Sequence, residues 1–241
     1  MFIDFSKLFH QASKDRARGH APIPADMSLW PKSWVNVEYK TYPGLARITL
    51  PEVTRQHDLF QAIRERRSGR DPHKGKVMLE EIATLLRYSC GEVRAQENKR
   101  AQPSGGERYP IEAYVLVFLG SPGLTPGIYH YAVGEHVLEV LSNREFSAED
   151  IREIFPIAWV GNAACTILLT AVFDRTKRKY GERGYRYILL EAGHIGQNLS
   201  LVAAALGISC CVSSTNDEVI DRLLSIDGVS ESLVYNVVLG R

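Results

Sequence analysis

Four stretches of this chain carry side chains whose types and spacing could do chemistry. The most reactive is DRTKRKYGERGYRY (174–187). There Arg175, Lys177, Arg178, Lys179, Arg183 and Arg186 meet only Asp174 and Glu182, with Tyr180, Tyr185 and Tyr187 interleaved. A free phenol titrates at about 10 and a free lysine at about 10.4. Neighbouring cations favour phenolate and neutral amine, so the run is expected to lower both values and make Lys179–Tyr180 a base near neutral pH. A solvated basic face is the other reading of the same charges. Arg66, Arg67, Ser68, Gly69 and Arg70 form a second stretch, with three guanidinium groups and a hydroxyl. Planar bidentate pairing and permanent charge suit a phosphate monoester, and a basic surface turn is the alternative.

The third stretch, Pro103-Ser104-Gly105-Gly106, offers glycines that let backbone N–H groups approach a ligand, or simply a flexible turn. It is not GxGxxG and no strand leads into it, so a dinucleotide fold is not implied. The fourth, EAGHIGQN (191–198), spaces Glu191, His194 and Asn198 three to four residues apart on one expected helix face. Such a row is either a structural polar seam or a site.

Elements must hold these groups. MLEEIATLLRYSCG (78–91) reads as an amphipathic helix stopped by Gly91. EAYVLVFLG (112–120) and SLVYNVVLG (232–240) read as strands, and PGIYHYAVGEHVLEVL (126–141) as a hairpin turning near Gly134 and Glu135. ACTILLTAVF (164–173) has the length and apolarity of a buried central strand. SAEDIREIF (147–155) is a helix capped by Ser147, ISCCVSS (208–214) a strand, and DEVIDRLLS (217–225) a helix. A long helical pattern runs over about 176–206. Ile188, Ile195, Leu199, Val202 and Leu206 form one stripe; Leu189, Ala192, Gly196 and Ala203 form another. Two apolar faces predict burial on two sides, by the protomer core and by a partner subunit, with Ala192, Gly193 and Gly196 permitting close approach. The order implies an α+β domain around one mixed, mostly antiparallel sheet.

The 241 residues, 45% hydrophobic, suffice for one domain with a sizeable core. Residues 1–54 read as an irregular wrapping segment, interrupted by Pro22, Pro24, Pro31 and Pro43, with Trp30 and Trp34 suited to docking. Residues 55–241 form the domain. A net charge of +1 gives no field to gather nucleic acid or an anionic membrane, and neither is an expected partner. No apolar run approaches the roughly 20 residues that span a bilayer. The first residues lack a signal-peptide pattern, so a cytoplasmic location is expected. Cys90, Cys165, Cys210 and Cys211 make no CxxC pair and the histidines no HExxH, so no metal is expected.

Taken in order, RRSGR (66–70), PSGGERYP (103–110), GIYHY (127–131), KYGERGYRY (179–187), EAGHIGQN (191–198), ALGISC (205–210) and LGR (239–241) resemble the SagB-type, McbC-like branch of the nitroreductase superfamily. KSWVNVEYKTYPGLARITLP (32–51) resembles the segment preceding the domain in that branch. The resemblance implies a homodimer with FMN at its interface, oxidation of a thiazoline or oxazoline ring in a peptide natural product or on a carrier, and a cyclodehydratase as a candidate partner. Arg66 and Arg70 would reach the FMN phosphate or ribityl chain, with Arg67 and Ser68 nearer the ring system. Ser104, Gly105 and Gly106 would approach from the other subunit, and Arg241 would be a second phosphate partner. Lys179 and Tyr180 fall on the pair considered catalytic. The loop Val212, Ser213 and Ser214 would also touch FMN, although Ser213 replaces a glycine common in the family. An NAD(P)H-dependent nitro- or quinone-reductase and a low-turnover flavin-binding scaffold are the alternative functions.

Overall fold

Period-two alternation along the strands sorts the core into two layers. In β4 (Ile111–Val117) the side chains of Ile111, Ala113, Val115 and Val117 enter one layer and those of Tyr114 and Leu116 the other, all buried. Such a strand must sit between two sets of helices. The computed structural model, which describes residues 5–14, 26–52, 56–70, 75–94 and 99–241, shows that arrangement. The remaining strands of the main sheet are β1 (Arg47–Thr49), β5 (Gly127–Ala132), β6 (Val137–Asn143), β7 (Cys165–Val172), β8 (Ser209–Cys211) and β9 (Glu231–Gly240). A separate short hairpin joins β2 (Glu92–Arg94) to β3 (Lys99–Arg100). The sheet runs β1-β6-β5-β4-β7-β9-β8, and every pairing is antiparallel. β7 is an interior strand between β4 and β9, as its apolar run implies.

Helices α4 (Leu79–Cys90) and α7 (Arg183–Ala205) cover one face through Ile82, Leu85, Leu86, Ile188, Ile195 and Leu199. Each fully buried aliphatic side chain contributes about 1.5–3 kcal/mol. Helices α5 (Ala148–Ile154) and α8 (Asp217–Leu224) cover the other face. α5 starts where Ser147 Oγ accepts from Asp150 N (3.1 Å) and Asp150 accepts from Ser147 N (2.7 Å), a reciprocal cap. α3 (Leu59–Glu65) begins at Asp58, whose side chain accepts from Gln61 N. The four cysteines are free and buried, and burial pushes the Cys90 thiol up to about 12.

Three expectations are corrected. The helical run over 176–206 is two helices: α6 (Asp174–Tyr180) ends at Gly181, whose φ of +53° breaks the ladder before α7 begins. Lys179 and Tyr180 therefore close a short helix instead of opening a long one. The strand expected over 208–214 stops at Cys211. Beyond it, Ser213 N donates to Asn236 Oδ1 (3.2 Å) and Asn236 Nδ2 donates to Ser213 O (2.6 Å). A side chain thus replaces the next rung of the ladder. The second apolar stripe of α7 is not one face: Ala192, Gly196 and Ala203 are buried, while Leu189 and Leu190 are 40% and 59% exposed. Gly196 lies against the Tyr235 ring of its own chain, whereas a Cβ at Gly193 would meet nothing within 4 Å.

The N-terminal part lies along this body. α1 (Phe5–Ala12) and α2 (Lys32–Val35) precede β1, which pairs with β6 at the sheet edge. Pro22 and Pro24 fall outside the described residues. Among the described residues no helix is long and apolar enough to cross a membrane.

Candidate active site

A buried charge network fixes α6. His130 lies in the sheet with Nδ1 2.9 Å from Glu139 and Nε2 3.1 Å from Glu112. Burial pushes the Glu112 carboxyl up, but the His130 hydrogen bond and the Arg175 charge outweigh it and hold it below the usual range. Arg175, in the first turn of α6, donates to Glu112 (2.5 Å) and to Tyr109 O (3.1 Å). Breaking one partner of such a buried pair leaves an uncompensated charge, so the helix is firmly seated.

At the other end of α6, Lys179 is 6% exposed. Among the described residues its Nζ has no hydrogen-bond partner, and it lies 3.5 Å from the centroid of Trp30 and 5.9 Å from that of Trp34. Burial, helped by the Arg108 charge, pulls its pKa below the usual lysine value. Tyr180 behaves oppositely to the expectation from its basic neighbours: burial, and then Tyr187, raise its pKa. The reason is visible in the pairing of those cations. Arg175 is matched by Glu112, Arg178 by Glu38 and Lys177 by Glu182. The arrangement therefore supplies an amine that readily becomes neutral beside a phenol that keeps its proton.

The loop with Ser104 completes this corner. A Cβ on Gly106 would collide with Tyr180 Oη and come within 2.8 Å of Lys179 Nζ. Gly106 also has φ +62°. Gly106→Ala is thus expected to cost about 1–2 kcal/mol in urea unfolding, through left-handed backbone strain, and to displace the Lys179 amine. An unchanged midpoint would show the loop to be independent of α6. Ser104 Oγ donates to Glu191 (2.6 Å) and accepts from Tyr109 N (2.9 Å). Glu191 is buried, and burial raises its pKa to about 7 against the hydrogen bonds from Ser104 and Gln102. His194 does not share this face; it is exposed, and Asn198 donates to Ser89 O (3.3 Å).

A second cluster lies elsewhere. A groove of about 970 Å³ is lined by Arg64 to Arg70, Ser200, Ala204, Ser209, Cys210 and Arg241. Gly69 N donates to Cys210 O (3.0 Å), so the arginine turn is laid onto the edge strand β8. A side chain at Gly69 would strike Ser209, which explains the glycine between Ser68 and Arg70. Arg241 enters the groove while paired with Glu81. Several guanidinium groups around one cavity suit a phosphate monoester.

Arg66, Arg67, Ser68, Arg70 and Arg241 are thus gathered in one place, and Lys179, Tyr180, Ser104, Gly105 and Gly106 in another. Glu191 and Ser200, one facing each cluster, are nine residues apart on α7. That is roughly 14 Å along the axis and half a turn around it. Val212 and Ser214 face outward, while Ser213 turns its backbone to Asn236. Arg108 was missed from sequence. Its guanidinium donates to Ser33 O (2.8 Å), Val35 O (3.1 Å) and Asn36 O (2.9 Å). No periodicity marks it; its place inside PSGGERYP was the only available signal.

A protein of Methanocaldococcus jannaschii named as a nitroreductase is 30% identical over 180 residues, 74% of this chain and 89% of that protein. The trifolitoxin-processing protein of Rhizobium leguminosarum bv. trifolii is 29% identical over 182 residues, 70% of this chain but only 49% of its own length. In the Escherichia coli microcin synthetase complex with truncated pro-microcin B17 bound, one chain superposes with a TM-score of 0.64. Its identity is 21%, and the match covers 98% of this chain and 91% of that one. The model of the nitroreductase family matches residues 63–241, and the chain belongs to that family.

Proposed function

We propose that this protein is an FMN-dependent dehydrogenase that oxidises a thiazoline or oxazoline ring in a peptide to the aromatic azole. The observation that carries the reading is Lys179: a buried, unpartnered amine beside a protonated phenol. A reductase fed by a nicotinamide has no need of such a base. The groove of Arg66, Arg67, Arg70 and Arg241 fits the phosphate of FMN. When bound, FMN supplies the two-electron acceptor that takes hydride from the ring, and dioxygen renews it. Lys179 takes the proton from the former α-carbon, and Tyr180 holds the ring by donating from its hydroxyl.

Glu191, bonded to Ser104, and Ser200, lining the arginine groove, point to opposite sides of α7, and this supports a flavin shared between two chains. A two-fold homodimer brings the arginine groove of one protomer to Lys179 and Ser104 of the other. Leu189 and Leu190 on α7, with Leu59, Phe60 and Ile63 on α3, leave apolar side chains exposed for that contact. Support for a peptide substrate and a biosynthetic partner comes from the processing protein and the synthetase complex reported above.

An NAD(P)H-dependent reductase is the second reading, favoured by the name of the archaeal relative. Protein reconstituted with FMN is expected to show flavin absorption that anaerobic NADPH leaves unbleached and an azoline peptide bleaches. Rapid bleaching by NADPH alone selects the reductase. Failure to bind FMN at all removes both readings.

A further inference from the structure

We propose that Trp30 and Trp34 are positioning residues of the active site: the segment preceding the family domain lays two indoles on Lys179 and completes its dry pocket. The inference rests on Lys179 being the base. Three contacts seat the segment independently of Lys179. Trp34 Nε1 donates to Arg178 O (3.2 Å), Arg108 donates to the carbonyls of Ser33, Val35 and Asn36, and Glu38 pairs with Arg178 (3.2 Å). Together these fix the chain on both sides of Trp34, and Trp30 and Trp34 pack edge to face at 6.4 Å.

The consequence for Lys179 follows from what surrounds it. Its ammonium form would have three donors and, among the described residues, no oxygen to take them. The indole face of Trp30 attracts a cation, by about 2 kcal/mol or more at a desolvated site. That gain is smaller than the several kcal/mol lost when an ammonium leaves water. Removing water therefore outweighs the ring's attraction, and the indole wall favours the neutral amine. Among the described residues, the charged and titratable groups placed beside Lys179 are Tyr180 on its own helix, whose ring centroid lies 5.5 Å from Nζ, and Glu107 and Arg108 on the glycine loop, with the Arg178–Glu38 pair flanking Trp34. Arg108 adds to the wall's effect and Glu107 opposes it. The family domain alone, 63–241, contains neither tryptophan, so the base is incomplete without the preceding segment.

The test uses the full chain with 13Cε-labelled lysine. Lys179 is followed by NMR against pH, and its resonance is assigned by loss in Lys179→Arg. Trp30→Ala is expected to raise the Lys179 titration by about one pH unit or more toward that of a free lysine. Trp30→Phe, which keeps a ring face over Nζ, is expected to stay near the parent. The acid limb of kcat/KM for azoline oxidation moves upward in parallel. If Trp30→Ala does not fold, Trp30→Gln, larger than alanine, removes the indole face, offers Nζ an oxygen, and gives the same rise. A folded variant with an unmoved or lowered titration overturns the proposal. Lys179→Ala that oxidises the substrate at full rate, with the titration still raised by Trp30→Ala, would instead refute the role of Lys179 as base.

Discussion

Lys179→Ala is expected to slow azoline oxidation by about 10²–10⁴-fold, the usual worth of a positioned general base, with FMN affinity little changed. The asymmetry follows from where Lys179 sits: it shares no cavity with the arginine groove, so phosphate binding survives its loss. Tyr180→Phe removes a single donor and is expected to cost about 10²-fold in kcat, with KM nearly constant. The pH dependence has a definite sign. Lys179 must be neutral to accept a proton, so activity is lost as pH falls through its value. Burial has moved that value below an ordinary lysine's, and the limb lies correspondingly lower. Tyr180 does not supply this limb, because its pKa is raised and it stays protonated across the range. Single-turnover oxidation followed by flavin absorbance separates chemistry from reoxidation. Lys179→Ala at the parent rate, with FMN bound, would remove the base from the mechanism.

The elements that position this chemistry were legible where the signal is local. The apolar run of β7 has the length of a buried strand, and Ser147 marked the start of α5 as its cap. Lys179 and Tyr180 were legible as a pair within a basic run. Their environment was not, because it is assembled from far along the chain. Trp30 and Trp34 come from the N-terminal segment and Arg108 from the glycine loop, and each arrives by a contact with no periodic trace. The break at Gly181 was hidden for a related reason. A glycine inside a helix costs only about 1 kcal/mol relative to alanine, so YGERG is compatible with a continuous helix. Gly181 has a positive φ, and after the turn Gly184 comes so close to Thr176 and Lys177 that a side chain there would crowd their backbone. The wrong direction for Tyr180 came from counting cations by sequence distance. In the fold, neighbouring cations are neutralised by Glu38, Glu112 and Glu182, and burial decides.

Mixing two inactive variants is expected to restore activity. Arg66→Ala/Arg70→Ala lacks the phosphate groove and Lys179→Ala lacks the base, so either homodimer has two defective sites. If each site joins the groove of one protomer to the base of its partner, a mixed dimer has one site with both defects and one with neither. Random reassortment makes half the dimers mixed, so about a quarter of all sites regain full function under two-fold symmetry. Two chains that each carry a complete site give a different result. Then every groove stays with its own base, each chain keeps its single defect, and mixing restores nothing. The geometry favours the first outcome, because α7 stands between the two clusters in a single chain, with Glu191 and Ser200 on opposite sides of it. The arginines are surface groups, and Lys179 makes no hydrogen bond, so neither variant should prevent folding or assembly. Co-refolding the two variants at equal concentration, loading with FMN and measuring azoline oxidation decides the matter. Activity near a quarter of the parent places the flavin across the interface; activity at the level of the unmixed variants places it within one chain.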